Sequence, residues 1–131
     1  MNLSGRYLLD TNIVIALFSG DKAVEAKVET TSNVALAPPI IGELFFGAQK
    51  SEQVTENLYR INMFIEKHLL LSCDLVTAQW YGIIKNQLRR KGTPIPDNDI
   101  WIAAVAMQPG LILVTRDSHF DAVESLQMER W

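Results

Sequence analysis

Short apolar runs separated by longer helical stretches constrain this chain more than any other feature of it. Tyr7-Leu8-Leu9, Val34 to Ala37, Leu69-Leu70-Leu71 and Leu111 to Thr115 each read as a strand, and Leu126 to Glu129 is a candidate fifth. Strands that are apolar throughout, with helices between them, belong to a parallel sheet covered on both faces by those helices. The helical signals are equally local. Residues 12–18 are helical, and Asp21 is placed to cap a second helix. Pro38-Pro39 ends the second strand and suits the first turn of a helix running to about Lys50. Val54, Leu58, Ile61 and Ile65 form the stripe of an amphipathic helix over 52–67. Asp74 opens a long helix that closes on Arg89-Arg90-Lys91-Gly92, and another helix covers 97–107. The expected fold is α/β in three layers, a central mostly parallel sheet of four to five strands flanked by helices. One domain is expected over residues 1–131.

In an open parallel sheet, ligands bind at the carboxyl ends of the strands. Asp10 directly follows the first strand, and Asp117 follows the fourth by way of Thr115 and Arg116. Glu43 lies in the first or second turn of the helix after strand two, and Asp97 and Asp99 lie in the first turn of the 97–107 helix. Strand ends and helix starts share one edge of such a sheet, so these carboxylates converge on one rim. Carboxylates at close range repel unless some are protonated or a cation sits among them. Oxygen donors favour Mg²⁺ or Mn²⁺ over Zn²⁺, and two histidines with one cysteine make a zinc set hard to assemble. Such a site polarises a phosphate and activates water.

Each acid also has a plain structural role open to it. Asp10 and Asp117 are placed to cap the segments that follow them, and Asp97 reads best as a pure N-cap. Glu43 is the most informative, because Ile40, Ile41, Leu44, Phe45 and Phe46 surround it in sequence, and a carboxylate in apolar company costs energy unless something binds it.

Charge narrows the partners. The 131 residues carry 12 basic and 15 acidic side chains, net −3, which excludes a strongly basic nucleic-acid binder but not an enzyme that borrows positive charge from metal. The lone Cys73 rules out an internal disulfide, fits a reducing cytoplasm, and reads as a buried strand-end residue. No signal peptide is evident at the N-terminus, and no apolar run approaches the roughly 20 residues of a membrane span, so a cytoplasmic protein is expected.

The set Leu8-Leu9-Asp10-Thr11-Asn12, Glu43, Asp99-Ile100-Trp101-Ile102-Ala103-Ala104 and Val114-Thr115-Arg116-Asp117 resembles the PIN-domain ribonucleases, most of all the VapC toxins of toxin–antitoxin pairs. The resemblance covers essentially the whole chain. It implies a Mg²⁺- or Mn²⁺-dependent endoribonuclease that is usually dimeric and is neutralised by a cognate VapB-like antitoxin. By it, the catalytic and metal-holding acids are Asp10, Glu43, Asp99 and Asp117. Thr11 and Asn12 complete the family's D-T-N, Thr115 orients a ligand or water, and Asp97 is an additional nearby acid. RNA must still be held by an acidic protein. Lys85, Arg89, Arg90, Lys91 and Arg116 are the available phosphate contacts, Arg116 being nearest the site, while His119 reads as a cap or surface residue rather than a proton carrier.

The apolar residues exceed what one core needs. Tyr59, Met63 and Phe64 lie beyond the counted stripe, the 12–18 helix is apolar nearly all round, and Phe45 and Phe46 are consecutive. The surplus suits an amphipathic antitoxin helix or a homodimer, and the sequence does not divide it between them. Other classes fit less well. A phosphoacceptor receiver wants a lysine after its last strand, and none follows residue 91; a dehalogenase-type phosphatase wants a second aspartate where Asn12 stands. A PIN fold retained as a silent binding module is the alternative that only an assay separates.

Overall fold

The computed structural model describes residues 6–131. Its strands are β1 (Arg6–Leu9), β2 (Val34–Leu36), β3 (Leu69–Leu70), β4 (Leu111–Val114) and β5 (Met128–Glu129), joined in one parallel sheet of order β3-β2-β1-β4-β5. The helices are α1 (Thr11–Phe18), α2 (Lys22–Thr30), α3 (Pro38–Gln49), α4 (Val54–Lys67), α5 (Leu75–Lys91) and α6 (Asp97–Ala106), with a 3₁₀ turn over Ser118–Ala122. The α/β class and the five parallel strands are as the sequence predicts.

Strand order fixes where a site can form. The chain winds outward from β1 through β2 to β3, then returns to lay β4 on the other side of β1. Successive connections therefore diverge between β1 and β4 and leave a crevice beyond their carboxyl ends. Leu9 pairs with Val114 at the last rung, and the Asp10 amide donates to the Val114 carbonyl at 2.9 Å. The core beneath is apolar: Leu8, Leu9, Leu113, Val114 and Phe120 are fully buried. Ala103 and Ala104 are buried as well, and such small side chains let α6 lie close to its neighbours.

The α4 stripe packs as expected, with Ile61 buried and Leu58 and Ile65 partly buried against the core, and Phe64 joins it, set edge-on to Phe18 at 5.5 Å between centroids. Two local expectations need correction. Cys73 is exposed in the loop before α5, since β3 ends at Leu70. That strand is also less covered than a fully buried sheet requires, with Leu70 54% exposed at the sheet edge. The caps, by contrast, follow the sequence. Asp21 caps α2, Asp74 and Thr77 form a reciprocal capping box on α5, and Gly92 ends α5 at φ 70°.

Candidate active site

Asp10 ends β1 and caps α1, with one carboxylate oxygen accepting from the Thr11 amide at 2.8 Å. The other oxygen accepts from the Thr115 hydroxyl at 2.8 Å and from the Asn12 amide group at 3.3 Å. The Asn12 side chain also reaches the Thr115 hydroxyl at 3.4 Å, and its carbonyl accepts from the Arg116 amide at 3.2 Å. Residues 10–12 are thus stitched across the crevice to residues 115–116. Burial pushes the Asp10 carboxyl up to about 6, against the bonds from Thr115 and Thr11 that favour its charged form; Asp99 and Glu43 add repulsion.

Asp99 enters from the first turn of α6 and Asp117 from the residue capping the 3₁₀ turn. Between them lies His119, with Nδ1 at 3.1 Å from Asp99 and 3.3 Å from Asp117. Burial raises the Asp99 carboxyl and Asp117 repels its charge, while the His119 bond opposes both. The bond to Asp99 and the charge of Asp117 raise His119 in turn. Ligand atoms of Asp99, Asp117 and His119 all lie within 4.8 Å of one another. Hard oxygen donors beside a buried carboxylate that resists ionisation fit a divalent cation, which would relieve both the desolvation and the mutual repulsion.

Glu43 stands differently from its expectation. It is exposed on α3 and receives the Thr11 hydroxyl at 3.0 Å, because its apolar neighbours in sequence turn to other faces of the helix. Its charge nonetheless acts on Asp10, so all four acids share one rim. Asp97 is not a cap. Pro96 holds that position, and Asp97 bonds the Tyr81 hydroxyl and Lys85 Nζ on α5, both at 3.1 Å. Those bonds hold its carboxyl below the usual range.

Four of the five expected phosphate contacts are engaged within the chain, Lys85 by Asp97 and Tyr81 and Arg89 by Asn86 among them. The Arg116 guanidinium bonds Asp21 at 2.9 Å and the main-chain oxygen of Trp131 at 2.8 Å. Lys91 pairs with Glu124 and with the Ala122 carbonyl, both at 3.1 Å. His119 is the contributor that sequence reasoning set aside. Its signal was positional, since a turn that starts on a capping aspartate carries the residue two places on back toward the same carboxylate.

A second feature opens beside these acids. α1, α3 and α4 line a groove of about 270 Å³ whose walls include Ile15, Phe18, Leu44, Ile61 and Arg60, and Glu43 stands at its margin. Ile15, Phe46, Tyr59 and Met63 stay exposed on the same three helices.

Known proteins resemble this chain in both sequence and fold. The PIN domain family matches residues 7–126. Ribonuclease VapC2 of Haemophilus influenzae is 33% identical over 96% of this chain and 98% of its own length. The tRNA(fMet)-specific endonuclease VapC of Shigella flexneri is 32% identical over the same shares of the two chains. Among solved structures, VapBC2 from Rickettsia felis, bound to a DNA fragment from its promoter, superposes with a TM-score of 0.88 at 26% identity, covering 95% of this chain and 98% of that one. DNA-bound VapBC from Salmonella typhimurium gives 0.87 at 30% identity, covering 96% and 98%.

Proposed function

The chain belongs to the PIN-domain family, among its VapC ribonucleases, and from that membership we propose that it is the endoribonuclease toxin of a VapBC-type pair, acting through the acids of the β1/β4 crevice. The observation that carries this reading is Asp10. It is buried, bonded on both oxygens, and held near neutral pKa by desolvation and by the charges of Asp99 and Glu43. Burying a carboxylate costs the fold energy that its caps and hydrogen bonds only partly offset, and a cation at the site would supply the rest.

Asp10, Asp99 and Asp117 would hold a divalent cation, Mg²⁺ or Mn²⁺, with Glu43 completing the set. When bound, the cation polarises the scissile phosphate and offsets its charge. The rest falls to this chain's own side chains. Thr115, with its hydroxyl on Asp10, and Asn12, bridging Thr115 and the Arg116 amide, fix the orientation of the buried carboxylate. Glu43, the most exposed of the four acids and steadied by Thr11, is placed to take the proton of an attacking water. Water attacks phosphorus in line with the leaving 3′ oxygen, and the products are a 5′-phosphate and a 3′-hydroxyl. His119 holds the Asp99 and Asp117 carboxylates together before a cation arrives. Asp97, tied to Tyr81 and Lys85 on α5, would act only from outside the metal-holding set.

The antitoxin reading follows from the groove. An amphipathic helix laid across α1, α3 and α4 would cover Ile15, Phe46 and Met63 and bring its polar face to the Glu43 rim. A homodimer would use a different surface, on α5. No helix among the described residues is long and apolar enough to cross a membrane. The toxin reading carries a cytoplasmic location with it, and a single domain over 1–131 is part of the same proposal.

Cleavage of RNA by antitoxin-free protein tests the reading, with initiator tRNA beside a generic fluorogenic strand, in Mn²⁺, Mg²⁺ or EDTA. Metal-dependent cleavage that Asp99→Asn abolishes is expected, since a contaminating ribonuclease would ignore that change. Cleavage equal in the variant overturns the site. Metal binding without cleavage of either RNA would favour the silent binding module.

A further inference from the structure

We infer that Arg116 is a positioning residue: by fastening the Thr115–Asp117 segment to Asp21 and to Trp131, it sets Thr115 and Asp117 against Asp10 and Asp99. The inference rests on the reading of these acids as the nuclease site.

Beyond Thr115 the chain has left the sheet, yet two of the site's groups hang from this stretch. Its internal bonds cannot anchor it. The Asp117 amide donates to the Thr115 hydroxyl at 3.0 Å and the His119 amide to the Asp117 carboxylate at 2.9 Å, and both would travel with the segment if it moved. Thr115 is tied to Asp10, Asn12 and the Glu129 carbonyl and His119 to Asp99, but between those two residues the anchors to distant parts of the fold converge on Arg116. Its amide donates to Asn12 and its carbonyl accepts from Arg130, both at 3.2 Å. Its Nε donates to the Trp131 main-chain oxygen and its Nη2 to Asp21.

Those anchors are themselves fixed. The other oxygen of Asp21 accepts from the Ala23 and Val24 amides, so the carboxylate that receives Arg116 is locked at the start of α2. Trp131 is buried, its ring 5.6 Å from that of Tyr7 on β1. A planar guanidinium spans two such acceptors at fixed angles, which an ammonium does not. With Nε and one Nη2 hydrogen held by these two acceptors, only the remaining guanidinium N–H groups are left for a phosphate.

The test compares Arg116→Ala, Arg116→Lys and Asp21→Asn with a Lys22→Ala control, which removes only an exposed i,i+3 pair with Glu25. Three quantities are read: amide hydrogen exchange at residues 115–119, Mn²⁺ affinity by calorimetry, and kcat and KM on RNA. In Arg116→Ala, exchange at the amides of positions 115 and 116, which bond outside the segment to Glu129 and Asn12, should quicken, Mn²⁺ should bind about tenfold or more weakly, and kcat should fall by a similar factor with KM unchanged. Arg116→Lys and Asp21→Asn should fall between this variant and the wild type, and Lys22→Ala should match the wild type. A raised KM with unchanged kcat would make Arg116 an RNA contact and overturn the inference. Wild-type exchange and Mn²⁺ affinity in Arg116→Ala would overturn it too. Should the wild-type protein itself bind no metal and cut no RNA, the nuclease reading fails, and the exchange rates alone still decide whether Arg116 holds the segment.

Discussion

Asp10 concentrates the conflict on which the site depends. Thr11, Thr115 and Asn12 all donate to it, which favours the carboxylate, yet burial outweighs them and lifts its pKa from 3.8 to about 6. An acid with a folded pKa above its unfolded value keeps its proton in the native state after the unfolded chain has lost it. Stability therefore falls as pH rises through that window, and by pH 7 the ionised group costs the metal-free fold about 3 kcal/mol. Asp10→Asn removes this dependence. In EDTA, the difference in melting temperature between wild type and variant should move against the wild type between about pH 4 and pH 7.5. Saturating Mn²⁺ should reverse the movement at the upper end, and a flat difference in EDTA would mean that Asp10 is not desolvated. The four acids were legible in the sequence as residue types at strand ends and helix starts. Their individual surroundings were not. Glu43 looked buried because its sequence neighbours are apolar, but along a helix neighbours diverge by 100° each, and the Thr11 hydroxyl that meets it lies 32 positions away. Arg116 looked like a phosphate contact for the same reason: proximity to Asp117 says nothing of Asp21, 95 positions distant.

Among the elements, α5 is the clearest case of local chemistry setting structure. Its start is a closed box, with the Asp74 carboxylate on the Thr77 amide and the Thr77 hydroxyl on the Asp74 amide, and its end is Gly92 in the left-handed region. Arg89, Arg90 and Lys91 occupy the last turn, where the helix dipole favours positive charge whether or not RNA is bound. Gly92→Ala should cost about 1 kcal/mol, because a side chain at φ 70° is strained even though the space around it is open. Thermal or urea unfolding measures that loss, and kcat should stay at the wild-type value; a fall in kcat would mean that the 93–96 loop reaches the site. Caps of this kind are readable because donor and acceptor lie within four residues. The stripe of α4 was readable too, but that Phe64 rather than Tyr59 or Met63 would join it was not, since that depends on what α1 presents: Phe18 meets the Phe64 ring edge-on. The same limit applies to β3, where the apolar residues announced a strand but not that it would be the sheet's edge.

On the scale of the whole molecule, two regions of apolar surface on the helices differ in geometry. One is concave, the groove of α1, α3 and α4 that ends at Glu43, and it suits a narrow partner element. The other is the convex face of α5, where Val76 and Ile83 lie seven residues apart and are 53% and 48% exposed. Gln79 and Gln87 fall on the same helix face, so no charge interrupts it before Arg90. Interface cores are depleted of charged side chains, and a flat uncharged stripe can oppose its own copy across a two-fold axis. Assigning the dimer to α5 and the antitoxin to the groove makes the two contacts separable. Ile83→Glu, or Val76→Glu where the first proves insufficient, places a carboxylate opposite its symmetry mate and should convert the isolated toxin to a monomer on size exclusion. The same variant should still be captured by a peptide of the cognate antitoxin helix, because the groove lies on other elements. A variant that remains dimeric would move the interface elsewhere, and one that loses the peptide while keeping its fold would show that the groove forms only within the dimer.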